Sequence, residues 1–100
     1  MRDERWDILS KEQKVLLTVY KSQDGMHLAE LCRAFEGEMS KATMIKILQK
    51  LRVSKYVVDN WDRVETGSRG FRKQTWVRNY KLSAKALAYV KELHEITFRS

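Results

Sequence analysis

The sequence predicts an α+β fold: three helices, then a long β-hairpin, then a closing helix. Three observations predict it. Residues 27–58 hold two short amphipathic segments joined by a glycine-bearing turn, and the second opens with Ser40 and Thr43. Residues 56–82 read as strand, turn, strand, with Gly67 and Gly70 flanking the tip. Proline is absent, so nothing breaks the apolar-periodic segments internally, and serine stands just before three of them, at Ser10, Ser40 and Ser83.

The elements follow in order. The first helix starts at Ser10 as N-cap, and Gln13 three residues on completes a capping-box pattern. Val15, Leu16, Val19 and Tyr20 form its apolar stripe, and Asp24-Gly25 ends it in a turn. Met26-His27 adds a short strand. The second helix spans 28–36, with Leu28, Leu31, Cys32 and Phe35 on one face and Gly37 supplying the turn. The third spans 41–54 behind Ser40 as N-cap; its stripe is Met44, Ile47, Leu48 and Leu51. The opposite face carries Ala42, Thr43, Lys46, Gln49 and Lys50 and no acid. The hairpin covers 56–82. Symmetry about Gly67-Ser68-Arg69-Gly70 predicts Trp61 opposite Trp76, Asp59 opposite Arg78 and Val57 opposite Tyr80, each a favourable cross-strand pair. Ser83 caps the last helix, about 84–97. Its apolar surface (Ala86, Leu87, Tyr89, Val90, Leu93, Ile96) is wider than one stripe needs, so part is expected on the first helix and part on a second subunit.

Composition bounds the function. One hundred residues predict one domain, 1–100, with a core small enough that a homodimer is expected. The net charge of +7 favours a polyanion. No apolar run approaches the roughly 18 residues that would span a membrane, and the N-terminus has no apolar signal core. The expected location is cytoplasmic, associated with the nucleoid. Cys32 is the sole cysteine, which excludes an intrachain disulfide and cysteine-rich zinc spacing.

The candidate binding residues lie in two places. On the third helix, Lys46 and Lys50 reach phosphates or guanine edges, Gln49 pairs with adenine, and Thr43 meets a thymine methyl or a phosphate. The first N–H groups of that helix, at Ser40-Lys41-Ala42, suit a phosphate. At the hairpin tip, Arg69, Arg72 and Lys73 cluster around two glycines, a form that suits a minor groove. The plain alternatives are a solvated helix face and a charged turn that prevents aggregation. Trp61 and Trp76 are expected to pack across the strands rather than stack on bases. Trp6, ahead of the first helix, fits two roles, a staple on the N-terminus or a dimer contact. Cys32 is expected in the core. His27 and His94 have no ligand cluster beside them, so no metal is expected. Glu30, Glu36 and Glu38 form no acid–base pair, and no nucleophile set or phosphate-cradling glycine loop is present. Neither catalysis nor a cofactor is expected.

The order helix, helix, recognition helix, hairpin, helix resembles the winged helix-turn-helix transcription regulators, in particular the MarR-like and PadR-like groups. Leu28, Ala29, Leu31, Cys32 and Phe35 are similar to their second-helix pattern. Ser40, Thr43, Met44, Ile47, Leu48 and Leu51 are similar to their recognition helix. Tyr56-Val57-Val58 resembles the strand after it, and Asn79-Tyr80, Leu82-Ser83 and Lys85-Ala86 resemble the strand-to-helix junction. The resemblance covers roughly residues 10–96. It implies a dimer on palindromic double-stranded DNA, with Lys41, Thr43, Lys46, Gln49 and Lys50 in the major groove and Arg69, Arg72 and Lys73 at the wing. Three departures stand out. The turn Glu36-Gly37-Glu38-Met39 is about one residue longer than the common form. The tip lacks the Asp-x-Arg signature of MarR proteins. The long extra helices that bind effectors are missing, so no small-molecule effector site is expected. Two other functions fit the same residues: an architectural protein with little sequence preference, and a protein-interaction module.

Overall fold

The computed structural model describes residues 4–22, 24–66 and 73–98. Its elements are α1 (Glu4–Asp7), α2 (Lys11–Lys21), β1 (Met26–His27), α3 (Leu28–Ala34), α4 (Lys41–Val53), β2 (Val57–Thr66), β3 (Lys73–Leu82) and α5 (Ala84–Thr97). The three strands form one antiparallel sheet in the order β1-β3-β2. None of the described helices is long and apolar enough to cross a membrane.

The helix starts follow the serine signals. Ser10 Oγ accepts from the Gln13 N–H at 3.1 Å, and Gln13 Oε1 accepts from the Ser10 N–H at 2.9 Å, a complete capping box. Ser40 and Ser83 cap α4 and α5 by accepting from the N–H three residues on. The chain leaves α3 through Phe35, whose carbonyl accepts from the N–H groups of Glu38 and Met39. Gly37 there takes φ +85°, a left-handed conformation that glycine adopts without strain.

The core lies where α2 to α5 meet the base of the hairpin. Val15, Leu17, Leu31, Met44, Ala86 and Val90 are fully buried, and Leu48 and Val57 nearly so. Burying each large side chain contributes about 1.5–3 kcal/mol. Leu17, absent from the expected stripe, is buried because α2 is covered from several sides, by α5, β3 and α4. α1 was not expected from the sequence. Its Trp6 stacks on Phe35 at 6.4 Å and lies 6.3 Å from Phe98, so this ring packs within its own chain and joins the two ends of the fold.

The hairpin register differs from the symmetric expectation. Val57 faces Leu82, Asp59 faces Tyr80, Trp61 faces Arg78 and Arg63 faces Trp76. The ladder is therefore shifted by two residues from the Trp61–Trp76 pairing. The reason lies at the base, not the tip. The Ser83 N–H donates to the Tyr56 carbonyl at 3.0 Å, and Ser83 Oγ donates to the Lys55 carbonyl at 2.6 Å. Those bonds set Leu82 against Val57. A two-residue shift keeps every side chain on its face, so Val57 and Tyr80 still reach the core.

Gly25 positions β1. It has φ +84°, and a Cβ there would lie 2.8 Å from the Tyr80 carbonyl and 2.9 Å from Asn79 Nδ2. Buried Asn79 uses that amide to donate to the Asp24 carbonyl at 2.9 Å. Gly25→Ala should therefore cost roughly 1–3 kcal/mol of stability, read by denaturant unfolding. An unchanged midpoint would show that the turn has room to move.

Candidate nucleic-acid interface

α4 presents its outer face between α2 and the hairpin. Met44, Ile47, Leu48 and Leu51 anchor it in the core, which leaves Lys41, Ala42, Lys46 and Gln49 exposed. No acid occurs in the helix. Lys46, Gln49, Lys50, Val53 and Ser54 line a shallow hollow of about 330 Å³ along that face. Ser40 and Thr43 are engaged with each other: Ser40 Oγ accepts from the Thr43 N–H at 3.2 Å and donates to Thr43 Oγ1 at 3.0 Å. Thr43 is half-buried.

Lys50 sits on the α2 side of the helix, where its Nζ lies 3.3 Å from Glu12 Oε1. The Glu12 carboxyl is held below its ordinary value, first by a hydrogen bond from its own backbone N–H, which burial opposes, and further by Lys50 and Lys11. A lowered carboxylate pKa keeps this pair ionised at neutral pH, and the pair is lost as pH falls through the folded-state value.

The hairpin side of α4 brings Ile45 and Arg52, which the sequence reading did not single out, beside residues that it did. Ile45, Leu48, Gln49, Arg52, Arg78 and Tyr80 line a cleft of about 240 Å³. Asp59 Oδ2 lies 3.6 Å from both the Arg52 and the Arg78 guanidinium groups. The Asp59–Arg78 ion pair expected across the strands thus exists on the diagonal, and Arg52 joins it. This carboxylate ties the end of α4 to the hairpin base. The only sequence signal for Arg52 was its place one turn beyond Leu48, on the flank of the stripe.

Of the hairpin-tip candidates, Arg69 and Arg72 lie outside the described residues. Lys73 opens β3, its backbone paired with Thr66. Lower on the strands, Trp61 and Trp76 are each 59% exposed, so they do not pack against each other beneath the hairpin. The Arg78 guanidinium lies 5.2 Å from the Trp61 ring centre, and that of Arg63 lies 5.8 Å from Trp76.

His27 braces the other edge. Its Nδ1 is 3.3 Å from Glu30 Oε1 and its Nε2 is 3.3 Å from Asp62 Oδ2, linking the start of α3 to β2. Among the described residues no group of three or more His, Cys, Asp or Glu is placed to hold a metal ion. Cys32 is half-buried and packs against the core. On α5, Tyr89 Oη accepts from Gln13 Nε2 at 3.2 Å and its ring lies 6.2 Å from Tyr56, so this part of the broad apolar surface is turned onto the same chain. Leu87 and Ile96 are exposed.

Two capped helices at the centre, an exposed α4 and an adjoining hairpin define a winged helix-turn-helix, with β2 and β3 as the wing. No family model and no curated protein matches the sequence. Solved structures do match the fold. AF1382 from Archaeoglobus fulgidus superposes with a TM-score of 0.66 at 15% identity, over 93% of this chain and 92% of that one. MepR, a transcription regulator of the Staphylococcus aureus multidrug efflux pump MepA, gives a TM-score of 0.60 at 19% identity, over 94% of this chain and 61% of that one. A variant of ZitR from Lactococcus lactis gives 0.58 at 22% identity, over 89% of this chain and 55% of that one.

Proposed function

We propose that the chain is a cytoplasmic transcription regulator that binds double-stranded DNA as a homodimer and reads sequence with α4. The observation that carries this reading is the outer face of α4. It is exposed, free of acids and lined by Lys41, Lys46, Gln49 and Lys50, while the helix is anchored by four buried apolar side chains. A helix held that way projects a rigid polar edge, which a major groove accommodates. The net charge of +7 supplies sequence-independent attraction to phosphates. The fold shared with MepR, a transcription regulator, supports the same reading. In this proposal Ser40 and Thr43 set the start of α4, and its first N–H groups meet a phosphate. Arg69, Arg72 and Lys73 enter the minor groove at the wing. The meeting of Trp6 and Phe98 brings together the segments that bear exposed Ile8 and Ile96, which favours a dimer contact at the joined ends of the fold.

The test is selection of bound duplexes from a random pool at about physiological salt, where specific and non-specific binding separate. An enriched inverted repeat with half-sites about one helical turn apart is expected. Bound duplexes without a motif would replace this reading by an architectural one. Glu12→Gln gives a second check. It releases Lys50 and removes a negative charge near the DNA face, so duplex affinity should rise a few fold. The slope of log affinity against log salt should steepen by about 1. An unchanged slope would show that Lys50 stays away from the phosphates.

A further inference from the structure

The wing face that adjoins α4 carries an alternating set of indoles and guanidiniums. Trp61 and Arg63 lie on β2, Trp76 and Arg78 on β3, and the register crosses them so that each ring faces an arginine. Four side chains of one parity thus share one face of the hairpin. Both indoles stay 59% exposed with the guanidiniums over them. Exposed tryptophan is costly in water, and here it occurs twice on neighbouring strands. The two rings are diagonal neighbours, a spacing of about 7–8 Å between their backbone positions. The face runs without a break into the cleft of Gln49, Arg52, Arg78 and Tyr80 at the edge of acid-free α4. Asp59, the carboxylate nearest that cleft, is shared by Arg52 and Arg78.

We propose that this wing face binds single-stranded DNA, with Trp61 and Trp76 stacking on unpaired bases and Arg63 and Arg78 meeting the phosphates between them. The argument is one of matched chemistry. Exposed indoles call for flat aromatic partners, and the arginines beside them call for anions. An unpaired nucleotide offers both in one repeat, whereas a duplex hides its ring faces in the stack. Stacking is tolerant of sequence, so this site adds grip on opened DNA and not recognition of an operator. The inference does not depend on duplex recognition by α4.

The test compares binding of an oligothymidylate of about 16 nucleotides with an abasic strand of equal length and charge, followed by fluorescence anisotropy and by quenching of tryptophan emission. The thymidylate should bind roughly a hundredfold more tightly than the abasic strand, which loses both stacks, and quench emission. Trp61→Ala and Trp76→Ala should each weaken thymidylate binding roughly tenfold, and Trp61→Phe should restore most of it. Abasic binding should stay within about twofold throughout, because the phosphate contacts remain. Equal affinity for the two strands would overturn the proposal, as would alanine variants that bind thymidylate like wild type. Tighter binding to oligouridylate would overturn the assignment to DNA. A dimer that dissociates in sedimentation when both tryptophans are replaced would assign the face to a second copy of the chain instead.

Discussion

Phe35→Ala should destabilise the fold by about 3–5 kcal/mol, the largest loss expected from any single truncation. Phe35 is 2% exposed and closes α3 at its C-terminal end. Its ring belongs to the core and stacks on Trp6 at 6.4 Å. Its carbonyl accepts two N–H groups of the turn between α3 and α4. Removal of the ring opens a cavity in the core and deprives Trp6 of its stacking partner, so α1 should detach as well. A domain of this size has about 5–15 kcal/mol of stability in all. With about 4–8 °C of melting midpoint lost per kcal/mol, the midpoint should fall by roughly 12–40 °C. Val53→Ala is the control. Val53 is 74% exposed at the end of α4, and its truncation should change stability by less than about 0.5 kcal/mol. A loss below about 1 kcal/mol for Phe35→Ala would mean that neighbours collapse into the space and that the turn is held by its backbone bonds alone.

What the sequence makes legible is whatever is decided locally. Ser10, Ser40 and Ser83 each cap a helix because their oxygens need only reach an N–H three residues away. The stripe of α4 is legible because one side of that helix is covered and the other is not. α1 is not legible: one turn of helix has no intrinsic stability, and Trp6 holds it through contacts with Phe35 and Phe98, distant in sequence. The register is misread for a related reason. Cross-strand pair preferences amount to about 0.2–1 kcal/mol each, so a symmetric tip with good pairs is a weak determinant beside the bonds that join Tyr56 and Lys55 to Ser83. The ion pair of Lys50 with Glu12 and the bridge of Asp59 to Arg52 and Arg78 depend on the approach of separate elements, which periodicity does not encode. Lys55 at φ 64° is likewise set by its surroundings, since lysine has no preference for that conformation.

Lys46→Ala combined with Gln49→Ala should abolish discrimination between the selected operator and unrelated duplex while leaving affinity for unrelated duplex nearly intact. Both residues are exposed at the centre of the outer face of α4, one turn from each other's neighbours, and neither forms part of the core. A bidentate contact to a base is worth about 1–3 kcal/mol against the wrong base, so loss of both, about 2–6 kcal/mol, should reduce the specificity ratio by roughly thirty- to ten-thousand-fold. Non-specific affinity comes from the overall positive charge, and Lys46 is one cation among 20 lysines and arginines. Arg69→Ala and Arg72→Ala should do the opposite, weakening all duplexes alike and lowering the salt slope by about 1 each. The two patterns separate base reading from phosphate contact by competition binding at several salt concentrations. If the α4 variant lost operator and unrelated duplex equally, α4 would be a phosphate-binding helix and specificity would have to arise in DNA shape or at the wing. If it kept its specificity ratio, the groove-facing edge would lie elsewhere, and the cleft between α4 and the wing, with Arg52 and Arg78 at its rim, would be the next surface to vary.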